Sequence, residues 1–298
     1  MRVTNGMIAD TVLRNLNRNL KRLQKMQEQM SSGKTVSRPS DDPVNVARIM
    51  RLQSMVHEQE KYHDNMKNAQ GYIDNAESAL ATVSDIMNRA RELAVYGANG
   101  SMSDEDRKAL AAEVDELISE TIEVANTSFD GRYVFGGFKS EEPPFSRDEV
   151  DGSINYSGDS GKMEWEVARG VTIPVNIPGD ELFQNGSGNV FDVLLQLKEA
   201  LETSDQEALS GSVLEGVDAA SNLILSQRAV LGARSNRLEV AQDRAFISNI
   251  NMTEMLSKLE DVDWAEASMN FATAAAVYNA ALATGAQVIQ PTLLDYLR

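Results

Sequence analysis

Cysteine is absent from the 298 residues. That excludes disulfides and thiolate chemistry, and a zinc site would need histidine and carboxylates alone. Histidine is nearly absent too: the chain has two, His57 and His63, close together in one helical pattern. Basic charge is short. Lys and Arg number 28 against 45 Asp and Glu, a formal net charge of −17. A general nucleic-acid binder needs a basic footprint and is excluded. Met1 to Asp10 holds no apolar run, so no cleavable secretory signal is expected. One long stretch lacks charge, Ala267 to Leu294. Its length raises a membrane span. Asn270, Thr273, Asn279, Thr284, Gln287 and Gln290 interrupt it and alanine fills most of the rest, so close helix–helix packing is expected and no membrane partner.

Each stretch that imitates a chemical motif fails at a required position. His57-Glu58-Gln59-Glu60-Lys61 opens like a zincin helix, but the second histidine position holds Lys61. Gly158-Asp159-Ser160-Gly161-Lys162-Met163 imitates a phosphate loop. It has Tyr156 where the first glycine belongs and Met163 where Ser or Thr would meet magnesium. Asp151 to Tyr156 hints at a calcium loop without its sixth-place glycine. No nucleophilic triad can be drawn. No enzyme activity, metal or cofactor is expected.

What the chain has is helix. Leu13, Leu16, Leu20, Leu23, Gln27 and Met30 follow heptad spacing, and so do Met66, Ala69, Ile73, Ala76, Leu80, Val83, Met87 and Ala90. Between them lies a short elbow, Ser31-Ser32-Gly33-Lys34-Thr35-Val36-Ser37-Arg38-Pro39-Ser40-Asp41-Asp42-Pro43. Gly33 stops the first helix. Pro39 holds Arg38 out of helical geometry. Asp42 caps the second helix and Pro43 takes its first position. Helix one is expected over about Thr4–Met30, with Arg14, Arg18, Lys21, Arg22 and Lys25 on the side away from the leucines. Helix two is expected from Pro43 to Tyr96, on the order of 80 Å at 1.5 Å per residue. Ser103 to Asp106 is an acidic capping box. It opens helix three, whose core face is Leu110, Val114, Leu117, Ile118 and Val124.

Composition then changes. Residues 131–188 hold most of the Pro and Gly. Tyr133-Val134-Phe135, Ile154-Asn155-Tyr156, Glu164 to Val167 and Val171 to Val175 read as short strands. Asp151-Gly152, Gly158-Asp159 and Asn185-Gly186 read as turns. Helix returns from Val190 to Leu201. A second capping box at Ser204–Glu207 precedes a long helix with Val217, Ala220, Ile224, Leu231, Leu238, Ala241 and Ala245 as its seam. Breaks are possible at Gly211, Gly216 and Gly232. The last helix carries Phe271, Ala275, Tyr278, Leu282, Gly285 and Ile289, and Pro291 ends or kinks it. The fold class expected is mainly α: a long antiparallel coiled-coil or helical bundle built from both chain ends, with a small β-rich insertion in the middle. Its parts are 1–40 with 265–298 as paired terminal helices, 41–130 with 190–264 as a long-helix bundle, and 131–189. The basic excess of helix one and the acids Glu260, Asp261, Asp263 and Glu266 suit the pairing of the two ends.

The elbow's Ser31-Ser32-Gly33-Lys34 and Pro39-Ser40-Asp41-Asp42-Pro43 resemble the flagellin superfamily, most of all its hook–filament junction branch. Three further stretches agree: Asn15, Asn17 and Asn19 between Leu16 and Leu20; Phe129 to Phe138 with Pro143-Pro144-Phe145; and the ending Pro291 to Leu297. Residues 147–184 carry no such likeness. The resemblance implies a secreted structural subunit of the bacterial flagellum, sent out by type III export without a cleaved signal. It implies a ring of copies of the chain between hook and filament. The first hook-associated protein would lie on the hook side, flagellin on the filament side, and a dedicated export chaperone would serve it. Leu13, Leu16, Leu20, Leu23, Phe271, Tyr278, Leu282, Ile289, Leu293 and Leu294 form the expected assembly interface, and Gly33, Pro39, Asp42 and Pro43 the elbow. Two alternatives stand beside it. One is a flagellin-type filament subunit, disfavoured by the proline-marked elbow and the Asp295-Tyr296-Leu297 ending. The other is a coiled-coil signalling or adapter module, which leaves the β insertion and the uncharged tail unexplained. The free subunit is expected to be ordered in its middle and disordered at both ends, and the β insertion to be dispensable for assembly.

Overall fold

Heptad spacing and caps turn into eight α-helices and six short strands among the described residues of a computed structural model, which are 5–36, 38–148, 152–184 and 189–289. The helices are α1 (Asn5–Ser32), α2 (Pro43–Gly97), α3 (Asp104–Ala125), α4 (Gly179–Phe183), α5 (Val190–Glu202), α6 (Gln206–Ala208), α7 (Leu214–Glu260) and α8 (Trp264–Ile289). The strands are β1 (Ser128–Phe129), β2 (Arg132–Tyr133), β3 (Phe145–Arg147), β4 (Ile154–Tyr156), β5 (Glu164–Ala168) and β6 (Val171–Pro174). They pair as three antiparallel hairpins, β1–β2, β3–β4 and β5–β6. The fold is mainly α, with terminal helices and small strand pairs between them. The expected turn at Asn185-Gly186 lies outside the described residues, as does Asp151 of the turn at Asp151-Gly152.

By its contacts the chain forms two units, Met1–Glu58 with Ser248–Arg298, and Gln59–Ile247. The divisions fall inside α2 and α7, whereas the sequence reading divides the chain near the ends of helices. Residues 131–189 belong to the second unit.

The second unit has one hydrophobic core. All eight α2 seam residues expected from Met66 to Ala90 are buried. On α7, Val217, Ala220, Ile224, Leu231 and Leu238 are buried, with Ala241 and Ala245 packed against that core. The core face of α3 is turned from the expected one. Arg107, Ala111, Val114, Ile118, Thr121 and Ala125 are buried, while Leu110, Leu117 and Val124 flank them. Small Ala111 and Ala125 let the helix approach closely, and the leucines cover the edges. Arg107 sits inside because it caps α2: its guanidinium donates to the Gly97 carbonyl at 3.0 Å and the Asn99 carbonyl at 3.1 Å. The Gly97 carbonyl is one that the helix end leaves without an intrahelical partner.

The β-rich segment shares this core. Phe135, Phe145 and Phe183 lie with Phe191 of α5 at ring separations of 5.1–5.6 Å. The Asn126 side chain accepts from the Phe145 amide at 3.0 Å and donates to its carbonyl at 2.8 Å, tying β3 to the end of α3. The Tyr72 hydroxyl donates to the Val134 carbonyl at 2.8 Å. The insertion, expected to be dispensable for assembly, thus contributes side chains that complete the helical core. The Gly158–Met163 stretch has a structural role here. Asp159 Oδ1 accepts from the amides of Phe138 at 2.7 Å and Gly161 at 2.9 Å.

Two local expectations change. The cap before α6 is Asp205, which accepts from the Ala208 amide at 3.0 Å. Ser204 adopts φ +56 and donates instead to Asp104 at 2.8 Å. Of the three glycines where a break is possible, only Gly211 lies in an irregularity, the π-helical turn Leu209–Val213. Gly216 and Gly232 lie within continuous α7.

Candidate assembly interface

In the first unit the two ends of the chain meet. α1 packs antiparallel along α8, and the half-buried residues of α1 recur at Ala9, Val12, Leu16, Asn19, Leu23, Met26 and Met30. This three-and-four spacing makes a seam. On α8 the matching positions are Ala267, Phe271, Ala274, Tyr278, Ala281 and Gly285. Gly285 is buried, and a Cβ there would stand 2.9 Å from Val12 Cγ1 and 3.7 Å from Leu16. A side chain would hold the helices apart at that crossing.

The expected interface residues divide between the seam and its outer flanks. Leu16, Leu20, Leu23, Phe271 and Tyr278 are half-buried. Leu13 is 50% exposed and Leu282 43%. Ala281 takes the seam position beside Leu282. Ile289 ends α8, and Leu293 and Leu294 lie outside the described residues. Further apolar side chains stand out in solvent: Met7 and Ile8 on α1, and Met269 and Val277 on α8.

The elbow closes one end of this pair. Gly33 adopts φ +71, the left-handed conformation glycine tolerates, and its amide donates to the Gln29 carbonyl at 2.8 Å. Asp42 Oδ1 accepts from the amides of Val44 at 3.1 Å and Asn45 at 3.0 Å. Pro43 is the first residue of α2. Pro39 is the second residue of a turn in which the Asp41 amide donates to the Arg38 carbonyl at 3.0 Å.

The residues opposite the elbow were not singled out from sequence as its partners. Lys34 and Asp261 form an antiparallel β-bridge. The Thr35 amide donates to the Glu260 carbonyl at 2.7 Å, and the Val262 amide to the Gly33 carbonyl at 2.9 Å. The Thr35 hydroxyl lies 3.1 Å from the Glu260 carbonyl and 2.9 Å from that of Asp261. Glu260 is 7% exposed, ion-paired with Lys34 and bonded by the Gln53 amide at 3.1 and 3.2 Å. Elbow and α7–α8 turn are thus fastened back to back. Helix one lies against the last helix as expected, but the charges that suit the pairing meet at one place. Lys34 takes Glu260, but Arg14, Arg18, Lys21 and Arg22 meet no carboxylate among the described residues. The cause is position, since α8 holds no charged residue after Glu266 for them to face.

No group of three His, Asp or Glu able to hold a metal occurs among the described residues, and none of their helices is long and apolar enough to cross a membrane.

Known proteins share both ends of the chain and its fold. Residues 3–140 match the bacterial flagellin N-terminal helical region, and residues 214–297 the bacterial flagellin C-terminal helical region. Flagellar hook-associated protein 3 of Escherichia coli is 29% identical over 287 residues, 89% of each chain. Its Salmonella typhimurium counterpart is 27% identical over 291 residues, again 89% of each. Among solved structures, a flagellar hook-associated protein-3 from Legionella pneumophila superposes with a TM-score of 0.64 at 20% identity, over 71% of this chain and 98% of that one. With both terminal regions matched and joined as the pair described above, the chain belongs to the flagellin superfamily of bacterial flagellar proteins.

Proposed function

We propose that this chain is a structural subunit of the bacterial flagellum that forms the junction between hook and filament. The observation that carries the reading is the α1–α8 pair. Its seam is narrow and rich in small residues, and it leaves Met7, Ile8, Leu13, Met269, Val277 and Leu282 in solvent. Apolar groups left in solvent on a helix pair are a surface for further packing. In a ring of copies they meet neighbouring axial helices, the first hook-associated protein on one side and flagellin on the other. The likeness to hook-associated protein 3 over most of the chain supports the junction as the place. Leu16, Leu20, Leu23, Phe271 and Tyr278 hold the pair together, and Ile289, Leu293 and Leu294 are assigned to the same interface. The subunit is passive: it works by shape and burial, without turnover, metal or cofactor. It is exported without cleavage of its N-terminus, escorted by a dedicated chaperone.

The test is electron microscopy of cells lacking the chain. Intact hooks that carry no filament, with flagellin released into the medium, are expected. Normal filaments in those cells would overturn the reading. Retained hooks with no other filament protein in the medium would favour the filament subunit instead.

A further inference from the structure

Arg14, Arg18, Lys21, Arg22 and Lys25 are all exposed on α1 and recur at near-helical spacing, four of them away from the seam that meets α8 and Arg22 at its edge beside Asn270 and Thr273. Their bonds are local. Arg14 donates to Thr11 at 3.1 Å and Arg18 to Asn15 at 2.7 Å, and Lys25 reaches Asp41 at 3.6 Å. No other carboxylate meets these five among the described residues. In a chain of net charge −17, residues 1–40 hold eight bases against two acids. Such a stripe is a surface awaiting an acidic one.

The same unit carries acids without a basic partner. Asp261, Asp263 and Glu266 are exposed where α7 turns into α8. Asp263 caps α8 through one oxygen, accepting from the amides of Ala265 at 2.9 Å and Glu266 at 3.2 Å, and Asp261 accepts from Ser257. With Met26 and Gln29 the three acids line an open groove of about 330 Å³. Its one cation, Lys258, already holds Glu254 at 2.6 Å.

We propose that the basic stripe of α1 docks on this acidic collar of a second copy of the chain. The proposal rests on the assembly reading and adds the surface, the charge and the direction by which copies meet. Within one chain Arg14, Arg18 and Lys21 lie short of the collar, which sits beside residues 26–29, and Arg22 pairs with none of its acids although both border Asn270. A second copy displaced along the helix axis by roughly eight residues, about 12 Å at 1.5 Å per residue, brings them together. Surface ion pairs are individually weak. A row of them fixes orientation and register, while the apolar flanks supply the burial.

The absence of cysteine gives a clean test in full-length protein. Cells co-express an Arg18→Cys chain and a Glu266→Cys chain, and their isolated flagella are oxidised with copper phenanthroline. A mixed disulfide dimer at least about tenfold above either homodimer is expected. Both chains present in flagella without the mixed dimer would overturn the docking and leave the assembly reading standing. Wild-type chain absent from flagella would overturn the assembly reading itself. Should a cysteine chain be excluded while wild type is retained, charge reversal decides. Arg18→Glu with Arg22→Glu, or Asp263→Arg with Glu266→Arg, is expected to lower incorporation at least about tenfold. All four changes in one chain are expected to restore it, and failure to restore it overturns the proposal. Binding of the wild-type chain, but not the Arg18→Glu/Arg22→Glu chain, to phosphatidylglycerol vesicles would then assign the stripe to an anionic lipid surface.

Discussion

Glu260 shows how much rests on a residue that its sequence context does not mark. It is one of 45 acids, and nothing in the pattern around it sets it apart from Asp261 or Asp263. Only the folded unit brings Lys34 and Gln53 to it. Removing its carboxylate leaves the Gln53 amide without its partner beside a covered site, while the half-exposed Lys34 ammonium turns to water. Glu260→Ala is expected to loosen the bridge locally, raising amide exchange at Thr35 and Val262 about tenfold by mass spectrometry while unit 59–247 melts unchanged. Unaltered exchange would show that the backbone bridge holds by itself. Gly285 is different, since its place in the seam was legible from spacing. What sequence could not show is the 2.9 Å approach of Val12. Gly285→Leu is expected to part the helices and remove the chain from flagella, measured by immunoblot of isolated hook–filament structures, without lowering its secretion.

At the scale of elements, the strong signals were the long ones. The α2 and α7 seams repeat over many turns, and their buried residues could be read directly. The weaker signals were short or three-dimensional. The β1–β2 hairpin turns on Asp130-Gly131, both with positive φ, and that dipeptide is itself a hairpin signal. β3 has three residues and no alternation long enough to read. The rotated face of α3 depends on what lies opposite, which no single segment states. Asp115 of α3 joins three elements, accepting from Arg147 of β3 at 2.6 Å and Lys198 of α5 at 2.8 Å. The Arg147 hydrogen bond and then that of Lys198 hold its carboxyl below the usual range. A depressed folded pKa gives stabilisation that is full above the unfolded value near 4 and is lost as pH falls through the folded one. At 36% exposure solvent screens the pair, so about 1 kcal/mol or less is at stake. Asp115→Asn is expected to lower the melting temperature slightly at neutral pH and to match wild type once the carboxyl is protonated. A constant difference across that range would assign the loss to packing. Joining Arg132 to Asn189 by a flexible linker withdraws Phe135, Phe145 and Phe183 from the core. Each contributes on the order of 1.5–3 kcal/mol, against a total of about 5–15 for a domain. Loss of the cooperative transition by calorimetry is expected, and a retained one would show that the helices stand without the insertion.

For the whole molecule, the contrast between the two units explains how a subunit can be stable and still unfinished. Unit 59–247 buries large side chains from both α2 and α7, with the phenylalanine cluster among them. The α1–α8 pair buries little: on α8 its seam is alanine and glycine apart from Phe271 and Tyr278, and only Gly285 is buried among the described side chains. Ordering backbone costs roughly 1–2 kcal/mol per residue, and small side chains return little for it. In free monomer, residues 5–32 and 264–289 are therefore expected to exchange amide hydrogens at nearly unprotected rates, and strong protection there would show that the ends fold alone. In the proposed assembly neighbours complete the pair by covering its exposed flanks, and Leu282 tests that claim most directly. An aspartate there leaves the free chain almost untouched, since the position is already in solvent, but puts an unpaired charge into the assembled seam. The Leu282→Asp chain should be secreted in normal amount and melt like wild type, yet leave hooks without filaments under the electron microscope. Filaments of normal number on those hooks would contradict the account.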